Sequence, residues 1–133
     1  MELPVQLVLN IAPISVNSLY RSVRGRNILS KQAREFKSEA QKQIKLLYTG
    51  NVLENRLRVK LIFYFPDNRR RDVDNYTKAI LDSLTGLVFR DDSQIYELIL
   101  RKQTGTCQQK IEIFIDDYYK FESNGLTVVE YRN

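Results

Sequence analysis

"RLRVKLIFYFPDNRRRDVDNYTKAILDSLTG", residues 56–86, changes character twice. Its first ten residues alternate basic and apolar and then become continuously apolar, as a strand entering a core does, and Pro66 ends the run. From about Asn75 to Leu87 the pattern becomes helical, with Val73, Thr77, Ile80, Leu81, Leu84 and Val88 on its buried side. Between strand and helix stand Arg69, Arg70 and Arg71, directly before Asp72 and Asp74. One local salt bridge needs one arginine, so three beside two carboxylates ask for another use.

Working outward, "PVQLVLNI" (4–11) reads as a first strand. "APISVNSLYRSVRGRNILS" (12–30) reads as a long loop carrying Tyr20 among arginines. Ser30 suits the N-cap of a helix over 31–48, with Ala33, Phe36, Ala40, Ile44 and Leu47 inward, a basic outer face and Gly50 in the closing turn. Downstream, "FRDDSQ" (89–94) is a polar turn before the strand "IYELILRKQ" (95–103). "TGT" separates that strand from "QKIEIFI" (109–115), and the two are expected to pair as a hairpin. In the tail, 117–133, "LTVVEY" either adds an edge strand or stays loose, and Tyr118, Tyr119 and Phe121 suit tail packing or a dimer contact. The order β-α-β-α-β-β predicts one α+β domain over 1–133, with two helices and a mixed or antiparallel sheet.

Charge is segregated. Between Ala12 and Lys45 eight basic residues face Glu35 and Glu39; between Arg56 and Arg71 six face Asp67. From Asp72 to Leu100 the sign reverses, with Asp72, Asp74, Asp82, Asp91, Asp92 and Glu97 against Lys78 and Arg90. A basic surface around an acidic pocket suits a polyanion held over a metal ion. Composition also excludes chemistry. With no histidine and only Cys107, there is no Ser-His-Asp or Cys-His nucleophile and no His- or thiolate-ligated zinc. The lone cysteine fits a reducing cytoplasm, the start lacks the features of a signal peptide, and no apolar run is long enough to span a membrane.

Carboxylates, lysine and a hard cation remain. On an extended backbone Asp72 and Asp74 project to one side, and Asp74 falls near the N-terminus of the helix. The Asp91–Asp92 turn joins them only if the strand that follows it packs beside the strand that precedes them. Three carboxylates without nitrogen or sulfur ligands favour magnesium, with manganese as substitute. Lys78 can hold water or stabilise developing charge, and the arginines can bind neighbouring phosphates. Two plainer readings compete: Asp74 as a helix cap with Lys78 paired to Asp74 or Asp82, or a calcium loop. The calcium loop fails, since Thr77 takes its glycine position and Ser83 its closing glutamate position.

"PDNRRRDVDNYTKAILDSLTG…VFRDDSQI", together with the early "PISVNSLYRSVRGR", resembles the RusA family of Holliday-junction resolvases. The shared pattern is a basic run, D-x-D-N-x-x-K, an apolar helix and a D-D-x-Q turn, covering roughly residues 5–116. The resemblance implies a phage-type crossover junction endodeoxyribonuclease with Asp72, Asp74 and Asp92 as metal-binding carboxylates, Asp91 as the alternative within its pair, and Lys78 as catalytic lysine. It implies DNA contacts at Arg71 and its neighbours Arg69 and Arg70, and a homodimer that cuts opposed strands of a four-way junction. Charge adds Arg21, Arg24, Arg26 and Lys31 as backbone contacts, with Asn17 and Tyr20 in the same segment; Tyr20 is suited either to stacking on an opened base or to packing. The expected setting is the cytoplasm of a bacterial host, from a phage or prophage, with no small-molecule cofactor and no membrane. The alternatives are a non-catalytic phage DNA-binding or regulatory protein, and a nuclease without branch preference.

Overall fold

A computed structural model describes residues 3–118 and 129–131. The tail residues between, including Tyr119, Phe121 and the first half of "LTVVEY", lie outside the described residues. The elements in order are β1 (Val5–Leu9), β2 (Tyr20–Val23), β3 (Arg26–Leu29), α1 (Lys31–Leu47), β4 (Leu57–Tyr64), α2 (Thr77–Leu84), β5 (Ile95–Gln103) and β6 (Lys110–Asp117). Four strands form a mixed sheet in the order β1-β6-β4-β5; β5 runs parallel to β4 and the other pairs are antiparallel. The α+β class, two helices and a mixed sheet, is as the sequence predicts.

The expected hairpin of β5 with β6 does not form. β4 lies between them, bonded to both from Leu57 to Tyr64. β4 is largely apolar, with five of its eight residues buried and none exposed, so both its edges are paired inside the sheet. The β5–β6 connection therefore arches over the end of β4: Phe65 N–H donates to Gln103 O (2.8 Å) and Thr106 N–H to Phe65 O (3.1 Å). The parallel pairing of β4 with β5 follows from α2, since parallel neighbours need a crossover.

The core lies between one sheet face and the helices. Leu7, Leu61, Phe63, Ile113 and their neighbours pack against Phe36, Ala40 and Ile44 of α1 and Ile80 and Leu84 of α2. Each such side chain contributes about 1.5–3 kcal/mol by leaving water. Ser30 caps α1 as expected, its Oγ accepting from Ala33 N–H at 3.0 Å. Leu47, expected inward, is exposed; Tyr48, extended at the helix end, is buried in its place and closes the helix instead of Gly50. The second helix is shorter than predicted. Residues Val73–Tyr76 form a 3₁₀ turn, α2 begins at Thr77, and Thr85 Oγ1 bonding back to Leu81 O marks its end. Among the described residues no helix is long and apolar enough to cross a membrane.

The stretch read as a loop contains a hairpin. β2 and β3 pair antiparallel around Arg24 and Gly25, both at positive φ (52° and 76°). That turn geometry matches strand twist and normally takes Asn-Gly, so an arginine there hid it.

Candidate active site

The segment leaving β4 is organised by Asp67, a residue without a role in the sequence reading. Asp67 accepts Arg69 N–H (3.1 Å), an Arg71 guanidinium nitrogen (2.9 Å) and, more loosely, Arg69 Nε (3.5 Å). Those donors hold its carboxyl below the usual range, the backbone N–H of Arg69 foremost. Arg71 also donates to Asp67 O (3.1 Å), and its guanidinium lies 4.4 Å from the centre of the Phe65 ring. With its side chain only 14% exposed, Arg71 is a brace for this loop rather than a hand offered to DNA. Phe65 in turn meets Tyr76 edge-on at 5.0 Å, and Lys102 Nζ donates to Arg71 O at 2.8 Å, tying the loop to β5. Arg69 stays 83% exposed, and Arg70 is exposed as well.

Asp72 and Asp74 follow, both exposed. Asp72 is extended (φ −85°, ψ 115°) and Asp74 sits in the 3₁₀ turn; no side chain caps either that turn or α2. The cap reading of Asp74 therefore fails. Lys78 pairs instead with Asp82 at 3.4 Å. Asp82 first, then Tyr20, and more weakly Asp92 raise the Lys78 pKa, so it is an ammonium at neutral pH. These effects also place Tyr20 and Asp92 within electrostatic range of Lys78.

The two aspartates after α2 differ. Asp91 caps the 3₁₀ turn Asp92–Gln94, accepting Ser93 N–H at 3.2 Å, while Gln94 Oε1 accepts Asp91 N–H at 2.8 Å. Bonding to Ser93 holds the Asp91 carboxyl below its ordinary range. Gln94 Nε2 then anchors the turn to Leu53 O and Asn55 O, both at 2.9 Å. Asp92 is exposed and, among the described residues, its carboxylate has no hydrogen-bond or ion-pair partner; the same holds for Asp72 and Asp74. The packing condition for bringing this turn back is met, since β5 lies beside β4. Yet among the described residues no three Asp, Glu, Cys or His side chains are grouped closely enough to hold a metal ion. The described part of the chain does not assemble the three-carboxylate cluster expected from sequence.

The β2–β3 hairpin rises beside this site. Ser30 anchors its base, with Oγ donating to Ser18 O (2.6 Å) and N–H to Leu19 O (2.8 Å), and Arg34 donates to Leu29 O (2.9 Å). Arg21, Arg24 and Arg26 are exposed and make no ion pair among the described residues. Asn17 and Tyr20 are exposed nearby, while Lys31 is loosely paired with Glu35 at 3.8 Å. Sequence reasoning found these cations but not the ribbon that carries them; "YRSV" and "RNIL" flanking Arg-Gly were the available signal.

The family model described as endodeoxyribonuclease RusA matches residues 10–116. The chain is 34% identical over 85 residues to the crossover junction endodeoxyribonuclease of Enterobacteria phage HK97, spanning 64% of this chain and 71% of that one. It is 31% identical over 106 residues to the enzyme of that name from Escherichia coli K12, spanning 79% and 88%. Against that of Enterobacteria phage 82 it is 32% identical over 108 residues, again spanning 79% and 88%. With both the family model and these relatives covering most of its length, the chain belongs to the RusA family of endodeoxyribonucleases.

Proposed function

We propose that this protein is a magnesium-dependent endodeoxyribonuclease that resolves four-way DNA junctions by paired nicks. The carrying observation is that Asp72, Asp74 and Asp92 stand exposed without partners among the described residues, although arginines that could neutralise them are adjacent and two are bound to Asp67 instead. Unpaired carboxylates repel a phosphate backbone unless a cation joins them, so a DNA enzyme that leaves them bare has a use for a metal.

The donor chemistry fits. Only carboxylate oxygens are offered, the ligand type that magnesium prefers and manganese accepts. Asp72, Asp74 and Asp92 would hold the ion. An ion drawing those carboxylates together would supply activation of water and neutralisation of charge on the scissile phosphate. The residues of the chain do the rest. Lys78, kept protonated by Asp82, serves as a donor to developing negative charge rather than as a base. Water oxygen adds to phosphorus, the bond to the 3′ oxygen breaks, and a 3′-hydroxyl and a religatable 5′-phosphate remain. Arg69, Arg70 and the hairpin arginines Arg21, Arg24 and Arg26 contact flanking phosphates, joined by Lys31, Asn17 and, at the hairpin base, Tyr20.

A four-way junction presents two equivalent strands to cut, and a homodimer supplies two equivalent sites. Relatives from phages and enterobacteria support a phage or prophage origin and a site of action in the bacterial cytoplasm.

The test is cleavage of a mobile four-way junction with magnesium, beside a linear duplex of the same arms. Symmetric nicks in the junction alone are expected, lost with Asp72→Asn while junction binding persists. Binding without products would point to a non-catalytic DNA-binding protein; equal cutting of both substrates would point to a nuclease without branch preference.

A further inference from the structure

β5 forms one rim of the sheet: β4 pairs with one side of it, and among the described residues no strand pairs with the other. Proteins usually protect such rims with short strands, charge or proline, because unpaired N–H and C=O groups recruit another strand. β5 has charge at Glu97, Arg101 and Lys102 but neither of the other protections, and its middle is apolar. It is nine residues long, lacks proline, and exposes Tyr96, Leu98 and Ile99 by 54, 40 and 46%. The opposite rim, β1, has five residues and exposes only Val8 among large apolar side chains.

We propose that the free edge of β5 is where a second copy of this chain docks, β5 against β5 and antiparallel, with Ile99 opposite its own counterpart. This rests on the homodimer of the preceding section and assigns it a surface and a register.

The register follows from the strand's own side chains. Residues opposite one another in an antiparallel pair lie on the same face of the sheet. Glu97, Ile99 and Arg101 share the face of Arg58, Lys60 and Ile62; Leu98 and Leu100 share that of Val59 and Leu61. With the two-fold axis at Ile99, Ile99 meets Ile99, Leu98 meets Leu100 twice, and Glu97 meets Arg101 twice. Centring on Leu98 sets Ile99 against Glu97; centring on Leu100 sets Ile99 against Arg101 and Leu98 against Lys102. Of the three centrings only that at Ile99 joins apolar to apolar and acid to base from Glu97 to Arg101. Arg101 has no ion-pair partner among the described residues, whereas Glu97 is bound by Arg58 of the adjacent strand (Nε to carboxylate, 2.7 Å). Across the axis each Glu97 is then flanked by two arginines, one from each copy, and the two four-stranded sheets become one of eight strands.

Light scattering coupled to size exclusion measures the assembly, and a cysteine scan measures the register. The wild type is expected to be a dimer. Leu98→Arg should raise its dissociation constant at least about tenfold, while Leu46→Arg, on an exposed position of α1, should not. Circular dichroism and melting of the Leu98→Arg monomer check that it remains folded. In a Cys107→Ser background, Ile99→Cys should give a covalent dimer under mild oxidation and Leu46→Cys should not. A dimer indifferent to Leu98→Arg and unlinked through Ile99→Cys overturns the assignment of this edge, as does a wild type that stays monomeric. Junction cleavage is scored separately: a cutting monomer defeats this inference and spares the nuclease, whereas an inert, edge-paired dimer does the reverse.

Discussion

The loop from Asp67 to Arg71 and the hairpin from Tyr20 to Leu29 each carry three arginines, and the fold uses them in opposite ways. In the loop, Asp67 gathers Arg69 and Arg71, and Arg71 is buried against the Phe65 ring. Around the hairpin no carboxylate among the described residues pairs with Arg21, Arg24 or Arg26, and all three are exposed, with Arg24 held at φ 52°, where a non-glycine side chain is uncommon. The number of arginines is the same in both. What differs is whether an acid is placed to fold the backbone around it. Arginine beside such an acid shapes the protein; arginine without one is left for a ligand.

The largest effect should come from the carboxylates that the loop arginines leave alone. Asp74→Asn should lower junction cleavage by about a hundredfold to ten-thousandfold, the scale of a lost metal or charge-stabilising group. Stability should be unchanged, because Asp74 caps nothing. If Asp74 were instead a helix cap, urea unfolding of the variant would show a loss of about 1 kcal/mol.

Arg71→Ala should act on the other axis. It removes two charge-assisted bonds to Asp67 and a stacked contact, and should cost about 1–3 kcal/mol in urea unfolding. Arg71→Lys should recover little, since a single ammonium cannot reproduce the fork and the ring contact together. A fully stable Arg71→Ala would erase the distinction between the two segments.

The hairpin predicts a third, smaller outcome. Arg24→Asn with Arg26→Gln should leave the melting temperature unchanged or slightly raised, because Asn suits the first position of this turn better than Arg. Junction affinity should fall, and the slope of log affinity against log salt should flatten by about two, one for each phosphate contact removed. An unchanged slope would mean that the hairpin does not touch backbone phosphate.

Why the sequence disclosed some of this and hid the rest is itself physical. Periodicity is local, so the apolar runs of β4, β5 and β6 and the Ser30 cap could be read directly. Pairing is not local. Nothing between residues 95 and 115 says that β4 will insert itself between two strands joined by so short a link; that follows from the demand of β4 for partners on both edges. The hairpin was hidden because Arg-Gly stands where the familiar signal is Asn-Gly. At the site, the types and order of Asp72, Asp74, Lys78, Asp91 and Asp92 were legible. The separation of a capping Asp91 from an unpartnered Asp92 was not, since it depends on a hydrogen bond from Ser93 and an anchor through Gln94 to Leu53 and Asn55. The bracing role of Arg71 required Phe65 to sit beneath it, which only the turn after β4 arranges.

The smallest effect concerns acid. Asp67 has its carboxyl held below the ordinary value by the Arg69 N–H first and then by Arg71. A depressed carboxyl adds stability above its unfolded pKa and loses it as pH falls through the folded one. The advantage of the wild type over Asp67→Asn should therefore be complete at neutral pH, begin to shrink near the ordinary carboxylate range, and disappear below it. Asp91 has the same sign through Ser93, so Asp91→Asn should show a similar acid-side loss. Lys78 has the opposite sign: its raised pKa adds stability that persists below the unfolded value and is lost only as pH climbs through the folded one, on the alkaline side. Chemical unfolding of the two variants across acid pH measures the carboxyl contributions, and that of Lys78 is read separately at alkaline pH. If the Asp67→Asn difference were flat from neutral to strongly acidic pH, the ion pairs of the loop would hold no net stability, and the bracing of Arg71 would rest on the Phe65 ring and the Asp67 carbonyl alone.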